Sequence, residues 1–316
     1  MWNIEKIRQG LKSNWNYIDG VMIKAVLQMY DVTKDEKYLK FADNFIDYRV
    51  HEDGTIDGYN IGEKNIDNVN AGKTLFELYD LTGKEKYKKA VDLVYSQIEI
   101  MPRCQNEARS FWHKDIYPNQ VWLDGLYMGL PFYLEYETRY NDRKNYSDIF
   151  GQFKFVIENM RNPINGLYFH AMDTSREAFW CDKVTGLSQH SWLRAIGWYT
   201  MALIDTLDQV DNKDHKYDAE CKMLEDAFKD LVDSMLKYQD ESGMWYQVVN
   251  YGGMDKNYLE TSGSSIMAYA LLKAVRLGYL SDDYAQYAKK AIDGICERYL
   301  KTKDCLLYTS PSPRDG

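Results

Sequence analysis

Apolar and charged helices alternate along this chain. Five predicted helices are apolar on nearly all sides, and they span 17–31, 68–81, 120–138, 189–210 and 260–277. Five amphipathic helices rich in charged residues follow them in turn, at 35–49, 84–99, 143–161, 217–238 and 282–299. A helix that is apolar all round is buried, whereas an amphipathic helix keeps one face in solvent. The alternation therefore predicts an all-α protein with an inner and an outer ring of helices, and with under about a tenth of its residues in strands.

An internal repeat supports this arrangement. The segment TKDEKYLKFA at 33–42 recurs as TGKEKYKKAV at 82–91, and each copy begins an amphipathic helix. Repeated helix pairs are typical of α-solenoids and of closed α/α barrels. The links that lead back to the inner helices are the longer ones, and they carry turn signals at Gly54, Gly166 and Gly243. We expect these loops to gather at the N-terminal ends of the inner helices, where a rigid scaffold can carry a site.

Composition narrows the possible functions. The chain has 316 residues, of which 45% are hydrophobic and 15% aromatic, enough for a large core. Its net charge of −9 argues against a nucleic-acid partner, and any acidic ligand must be held by local cations. The five cysteines form no C-x-x-C pair, which indicates reduced thiols in a cytoplasmic protein. No apolar stretch resembles a signal peptide or a membrane span, so no membrane partner is predicted.

The segment WHKDIYPNQVWLDGLYMGLPF at 112–132 concentrates residues that can carry chemistry. It places His113, Trp122 and Asp124 in front of, or within, the start of an apolar inner helix. Carboxylates are rarely buried without a partner. Asp124 is therefore either a first-turn residue favoured by the helix dipole or a catalytic acid. The neighbouring Trp122 and His113 favour the catalytic acid.

A second carboxylate precedes the neighbouring inner helix. Asp67 lies in NIDNVNAG at 65–72 and is either a helix N-cap or a residue that faces the same cavity as Asp124. Two carboxylates can divide acid and base duties when their environments separate their pKa values. His113 and His170 lie on loops at the same end of the predicted barrel, which makes both candidates for ligand contact.

The segment SQHSWLRAIGW at 188–198 adds a cation. His190, Arg194 and Trp198 are four residues apart and are expected to share one face of a helix. An arginine on an apolar inner helix needs an anion, which is either one of the two aspartates or a ligand carboxylate. Trp198 can stack on a sugar or belong to the core. The sequence shows no glycine-rich phosphate loop, nucleophile elbow or metal-ligand motif, so no metal and no other cofactor is predicted.

The pattern H-K-x-x-Y-P-x-Q-x-W-L-D-G-L-Y-M-x-x-P-F, which begins at His113, resembles the signature of glycoside hydrolase family 105, the unsaturated rhamnogalacturonyl hydrolases. The likeness extends from Trp15 to about Ala274 and implies an (α/α)6 barrel of six helical hairpins. It also implies which residues form the site: His113, Trp122, Asp124, His170, Arg194 and Trp198, with Asp67 as the second aspartate and Trp15, Tyr17 and Gly20 in the opening W-x-Y-x-x-G pattern. We add Tyr17 and His190 as candidates for substrate binding. The family's R-G-x-G-W reads RAIGW here.

The C-terminal end departs from this pattern. Six hairpins need twelve helices, but only about eleven are predicted, even when a short helix at 3–13 is counted. The helical pattern stops near Lys303, and residues 304–316 lack periodicity. We therefore expect one catalytic domain at 1–303 without its last inner helix. A non-native tail that packs nowhere is expected at 304–316.

The resemblance implies hydrolysis of rhamnogalacturonan oligosaccharides that end in a 4,5-unsaturated galacturonic acid. Asp124 would protonate C4 and then activate the water that attacks C5, so one residue would serve as acid and base. This role requires a raised pKa, which Trp122 and nearby tyrosines are expected to provide by desolvation.

Three alternatives stay open. One is an unsaturated glucuronyl hydrolase acting on glycosaminoglycan fragments, and another is an inverting glycosidase that uses both Asp67 and Asp124. The third is a non-enzymatic helical-repeat binding module, although inner helices that are apolar on all faces favour a closed barrel. The oligomeric state is left open.

Overall fold

The computed structural model describes residues 15–303 and 306–309. Within this part of the chain ten α-helices alternate between an inner and an outer layer, which confirms the all-α prediction. The inner helices are α1 (Tyr17–Thr33), α3 (Lys73–Thr82), α5 (Leu123–Tyr140), α7 (Leu193–Gln209) and α9 (Thr261–Arg276). The outer helices are α2 (Glu36–Asp47), α4 (Glu85–Ile100), α6 (Tyr146–Asn159), α8 (Asp218–Leu236) and α10 (Ala285–Tyr299).

The two layers differ in how much of each helix is buried. On α7 every residue from 193 to 207 except Arg194 is buried. On the outer helix α8 the buried residues form one stripe that runs from Leu224 through Leu231 to Met235. Burying a large apolar side chain contributes roughly 1.5–3 kcal/mol, so α7 is stable only between other helices, and it packs between α5 and α9. None of the described helices is long and apolar enough to cross a membrane.

The long links at one end of the barrel turn through glycines in the left-handed region. Gly54, Gly166 and Gly243 have φ angles of 89°, 76° and 86°, which other residues rarely adopt. Each glycine also packs closely on the next outer helix, where a Cβ would collide with Lys89, Ser234 or Lys290 respectively. The three equivalent turns therefore fix the spacing between successive hairpins.

Three inner helices begin later than predicted. The observed starts of α3, α5 and α7 are Lys73, Leu123 and Leu193 rather than 68, 120 and 189. The residues in front of them are used differently: Ile66–Gly72 forms a 3-10 helix, and Gln120–Trp122 forms strand β1, which pairs antiparallel with β2 (Ala171–Asp173). Hydrogen bonds to neighbouring loops outweigh the helical pattern at these positions. Further 3-10 turns lie at Ile61–Glu63, Val249–Tyr251 and Asp282–Tyr284.

The C-terminal residues of the described chain form a pair of strands. After α10, β3 (Leu300–Lys303) pairs antiparallel with β4 (Leu306–Thr309). Residues 306–309 therefore satisfy backbone groups by pairing with the segment directly before them. The expectation for 304–316 stays a prediction. The helix predicted at 3–13 and the rest of the tail lie outside the described residues. The domain limits, the lack of a last inner helix and the non-native tail stay predictions.

Candidate active site

A belt of backbone hydrogen bonds joins the loops that lead into the inner helices. Three of the five bonds join one loop to the next and two lie within a single loop, with N···O distances of 2.8 to 3.3 Å. The bonds run from Ile66 to His113, from His113 to Gln120, from Leu123 to His170, from His170 to His190, and from Leu193 to Gln247. Loops whose polar backbone groups satisfy one another are held in fixed positions. Three predicted site histidines belong to this belt.

A cavity of about 810 Å³ opens inside the belt. Its lining includes the predicted site residues Trp122, Asp124, His170, His190 and Arg194. The other lining residues are Trp192, Ala195, Gln247, Val248, Tyr251, Met254, Asp255, Lys256, Asn257 and Tyr258. The structure therefore brings together five of the predicted residues and adds a wall from 247–258 that sequence reasoning missed.

Asp124 lies in the first turn of α5, and its side chain is 21% exposed. The extended N-cap residue of that helix is Trp122, so the carboxylate emerges beside the indole. His170 Nε2 lies 3.3 Å from Asp124 Oδ2, which is an ion-pair distance. The approach is not a well-directed hydrogen bond, because Asp124 Oδ2 has no hydrogen-bond partner among the described residues. This oxygen is itself buried, while the Asp124 side chain as a whole lines the cavity.

The pKa of Asp124 corrects one expectation. Burial raises it, as predicted, but the adjacent His170, the charge of His113 and the backbone N–H of Asp124 itself lower it by more. The net result is a pKa below the ordinary aspartate value. Desolvation does raise the pKa of Asp124, but the two histidines on neighbouring loops lower that pKa by more. Asp124 is thus a carboxylate at neutral pH in the free protein.

Trp122 organises the aromatic side of the site. The buried His113 ring stacks on it at 4.5 Å between centroids and 5° between planes, and Tyr117 stacks at 5.3 Å. His170 meets the same indole edge-on at 4.9 Å, which fixes its ring beside Asp124. Burial lowers the pKa of His113 despite the nearby Asp67 and Asp124, so this histidine is neutral at pH 7. The adjacent His170 lowers the pKa of Asp124 more than His113 does.

Asp67 is engaged by two basic side chains. Its Oδ2 lies 2.8 Å from Lys114 Nζ, and its Oδ1 lies 3.5 Å from His113 Nε2. The capping role belongs instead to Asn65, whose side chain accepts from the backbone N–H of Asp67 at 3.1 Å. The N-cap alternative for Asp67 is therefore wrong, because the chain starts its 3-10 helix one residue earlier. Lys114 lies beside His113 in the signature segment, yet sequence reasoning did not select it.

Arg194 lies in the first turn of α7. Its ion-pair partner among the described residues is a glutamate and not one of the two aspartates that the sequence suggested. Its Nη1 lies 3.3 Å from Glu260 Oε1, and the Glu260 side chain is fully buried. Glu260 also caps α9 by accepting from the backbone N–H groups of Ser262 (3.2 Å) and Gly263 (2.5 Å). Sequence reasoning missed this residue. A signal was present, because Y-L-E at 258–260 parallels W-L-D at 122–124 and W-L-R at 192–194.

The structure places Trp198 in the core, which is one of its two expected places, and separates His190 from the helix that carries Arg194. Trp198 is 6% exposed, stacks on Tyr127 at 5.1 Å and meets Tyr17 edge-on at 6.1 Å, and neither it nor Tyr17 lines the cavity. Burial and the charge of Asp67 raise the pKa of Tyr17. His190 precedes α7 on extended chain and does not share a helix face with Arg194, because residue 190 is bound into the belt. Its ring instead contacts Tyr251 at 5.8 Å.

Comparison with known proteins decides the family. The family model described as Glycosyl Hydrolase Family 88 matches residues 2–315. A solved glycoside hydrolase of family 105 from C. acetobutylicum ATCC 824 superposes with a TM-score of 0.88 at 43% identity, over 96% of this chain and 83% of that one. This chain is a family 88/105 glycoside hydrolase. The resemblance carried by 112–132 is confirmed, and so is the (α/α)6 six-hairpin fold.

Two curated relatives extend the comparison. Unsaturated rhamnogalacturonyl hydrolase YesR of Bacillus subtilis (strain 168) is 25% identical over 290 residues, which are 90% of this chain and 76% of that protein. Protein Atu3128 of Agrobacterium fabrum (strain C58) is 37% identical over 164 residues, 52% of this chain and 68% of that protein. The enzyme thus belongs to the unsaturated glycuronyl hydrolases. Its described residues include no group of three or more His, Cys, Asp or Glu side chains that could hold a metal ion.

Proposed function

We propose that the enzyme removes a terminal 4,5-unsaturated galacturonic acid from rhamnogalacturonan oligosaccharides by hydrating the C4=C5 double bond. The observation that carries the proposal is the cavity that contains both Asp124 and Arg194. Asp124 supplies a carboxylate whose side chain is 21% exposed, and Arg194 supplies a cation. The named activity of the Bacillus subtilis relative supports rhamnogalacturonan as the source of the substrate.

Arg194 binds the carboxylate of the unsaturated sugar in this proposal. A guanidinium carries five N–H donors in a planar fork, so one arginine can serve Glu260 and a ligand carboxylate together. The protein has a net charge of −9, so an anionic sugar gains affinity only from such a local cation. Trp122 and the edge-on His170 ring form the adjacent wall, where the sugar ring can pack.

The reaction needs one group that gives and then takes a proton. Asp124 donates its carboxyl proton to C4, and positive charge develops at C5 and the ring oxygen. Water adds its oxygen to C5 while Asp124 takes the water's proton. The resulting hemiketal opens to a ketone at C5 and leaves a hemiacetal at C1, which expels the neighbouring sugar as an alcohol. Asp124 ends the cycle protonated, as it began.

Substrate binding supplies the proton that the free enzyme lacks. The pKa of Asp124 is below its ordinary value while water fills the cavity. A bound sugar displaces that water and brings a second carboxylate, and both effects raise the pKa of Asp124. Binding is therefore coupled to uptake of one proton. The sequence led us to expect a pKa of Asp124 that desolvation raises already in the free enzyme. In this proposal the pKa rises only when the substrate binds.

Asp67 serves as a fixed charge in this proposal. Its contacts with Lys114 and His113 leave it less suited to proton transfer than Asp124, so it orients the sugar or the water. This difference favours hydration through one residue over an inverting mechanism that divides acid and base between the two.

The deciding experiment compares three substrates on the wild-type enzyme. The unsaturated rhamnogalacturonan disaccharide should lose its double-bond absorbance as free sugar appears. The unsaturated glucuronyl disaccharide from a glycosaminoglycan should react more slowly, and a saturated galacturonoside should not react. Faster turnover of the glucuronyl compound would replace the proposed substrate, and cleavage of the saturated glycoside would refute hydration.

A further inference from the structure

A second, much smaller cavity lies next to the aromatic wall of the site. It measures about 10 Å³ and is lined by residues of the segment 110–113, of strand β1, of the start of α5 and of the outer helix α6. Trp122 lines both this cavity and the large one. A buried water needs roughly 10–15 Å³ of space and two to four polar partners. The small cavity therefore has room for one water molecule and for no larger ligand.

Three side chains that line the small cavity carry a buried nitrogen without a hydrogen-bond partner among the described residues. The three nitrogens are Trp112 Nε1, His113 Nδ1 and Gln152 Nε2. His113 and Gln152 are only 4% and 3% exposed, so bulk solvent does not satisfy them. Buried polar groups in folded proteins are rarely unpaired, because an unpaired one destabilises the fold. Three such nitrogens around one space of this size point to a shared partner.

The neighbours of two of these nitrogens define how they are placed. Gln152 Oε1 accepts from the backbone N–H of Phe111 at 3.1 Å, which assigns the amide oxygen to that side and leaves Nε2 for the cavity. His113 Nδ1 faces Gly125, on which a Cβ would lie 3.1 Å from the nitrogen. A hydrogen-bonded water oxygen lies at about the same distance, roughly 2.7–3.2 Å. The glycine after Asp124 therefore leaves the place beside Nδ1 open.

We propose that the small cavity binds one water molecule, which fixes His113 as the tautomer with its ring proton on Nε2. Trp112 and Gln152 are positioning residues, because they act on the site through this water and His113. The indole N–H and the amide N–H can only donate, so together they occupy both acceptor positions of the water. The water then donates to His113 Nδ1, and the proton of the neutral ring lies on Nε2.

The tautomer of His113 determines what Asp67 meets. His113 Nε2 lies 3.5 Å from Asp67 Oδ1, so the fixed tautomer directs an N–H at this carboxylate. The same ring stacks on Trp122 at 4.5 Å, which keeps its two nitrogens on opposite sides, one toward Asp67 and one toward Gly125. The water site is thus part of the support of the catalytic cavity, and it does not depend on which unsaturated sugar the enzyme cleaves.

Nuclear magnetic resonance of the full chain, labelled with ¹⁵N in histidine and tryptophan, tests the proposal. The wild type should show a cross peak between the indole N–H of Trp112 and a long-lived water. The ¹⁵N shifts of His113 should place its proton on Nε2 and show Nδ1 as a hydrogen-bonded acceptor. Trp112→Phe and His113→Gln assign the two sets of signals. A proton on Nδ1, or an indole N–H without a water cross peak, would overturn the proposal.

Gly125→Ala should displace the water, because the added methyl group takes its place beside His113 Nδ1. The cross peak should disappear, and the Nδ1 resonance should move downfield to the position of an acceptor without a hydrogen bond. Gly151→Ala is the matched control, since it makes the same change on α6, where a Cβ meets nothing within 4 Å, and should leave both signals unchanged.

A second variant keeps the test valid if Gly125→Ala does not fold. Trp112→Phe removes one of the two donors that hold the water, so the Nδ1 resonance of His113 should move in the same direction by a smaller amount. An Nδ1 resonance that stays at its wild-type position in whichever of the two variants folds would refute the water site.

Discussion

Arg194 has two tasks in the proposed site, since it binds the substrate carboxylate and compensates the fully buried Glu260. Arg194→Ala removes a guanidinium 3.3 Å from Glu260 Oε1, but Glu260 keeps hydrogen bonds from Ser262 N, Ser262 Oγ and Gly263 N. Breaking a buried ion pair typically costs about 3–5 kcal/mol. Because three donors remain and Arg194 is 28% exposed, we expect a loss of about 1–3 kcal/mol. Tm should then fall by roughly 2–5 °C, because a chain of 316 residues has a large entropy of unfolding.

The same substitution should weaken substrate capture. A hydrogen bond between charged partners contributes about 1.5–3 kcal/mol. Its loss corresponds to a KM that rises roughly 10–150-fold. The kcat should change much less, because Arg194 binds the carboxylate in both the ground state and the transition state.

A second substitution separates the two tasks. Glu260→Gln removes the buried charge that Arg194 compensates, so the double variant Arg194→Ala/Glu260→Gln should recover part of the lost Tm. It should keep the raised KM, because the carboxylate-binding cation is still missing. Arg143→Ala serves as the control, since it makes the same change in net charge but breaks a pair with Asp214 outside the cavity lining. Recovery of KM together with Tm in the double variant would refute the binding role.

Three further outcomes test the mechanism and the fold. Asp124→Asn should lower kcat by about 10²–10⁴-fold with little change in Tm, and Asp67→Asn should lower kcat by a smaller factor. Equal falls in kcat for the two variants would favour the two-carboxylate mechanism. Since the pKa of Asp124 is below its ordinary value in the free enzyme and rises on binding, kcat/KM should fall about tenfold per pH unit on the alkaline side of that lowered pKa, while kcat stays level to higher pH. Parallel pH profiles of kcat/KM and kcat would contradict this coupling. Burial lowers the pKa of Lys73 from 10.5 to about 7, so between those values the unfolded chain binds a proton that the folded chain does not and stability rises with pH. Lys73→Met should remove this rise of stability with pH and add up to roughly 4 kcal/mol to the free energy of unfolding at pH 7. If the variant's stability still rises with pH as in the wild type, Lys73 does not cause the rise.

The sequence alone predicted which helices form the inner layer and which form the outer layer, because burial determines the pattern of apolar positions along a helix. A helix such as α7 must be apolar on all faces to lie between α5 and α9, and this pattern is visible without any structure. The turn glycines are equally readable, since Gly54, Gly166 and Gly243 mark backbone that other residues rarely adopt. These features predicted the order and the class of every described α-helix.

Contacts between distant loops could not be predicted in this way. Glu260 meets Arg194 across 66 positions of the chain, and Lys114 meets Asp67 across 47. The low pKa of Asp124 has the same origin, because His170 reaches it from another hairpin. The starts of three inner helices were predicted too early for the same reason. Hydrogen bonds of the belt replace the first helical turn there. Periodicity reports which side of an element is buried and carries no information on which neighbour it meets.

The difference between the two aspartates follows from how their helices begin. Asp67 enters a 3-10 segment beside the loop that supplies Lys114 and His113, so each of its oxygens lies near a basic group. Asp124 enters the first turn of α5 against His170, and its Oδ2 accepts no hydrogen bond from the described residues. A group that gives and takes a proton in one turnover is poorly served by a permanent cation, and Asp67 has a lysine at 2.8 Å where Asp124 has a histidine at 3.3 Å. The same residue type placed before two neighbouring inner helices is therefore suited to two different tasks, proton transfer at Asp124 and a fixed charge at Asp67.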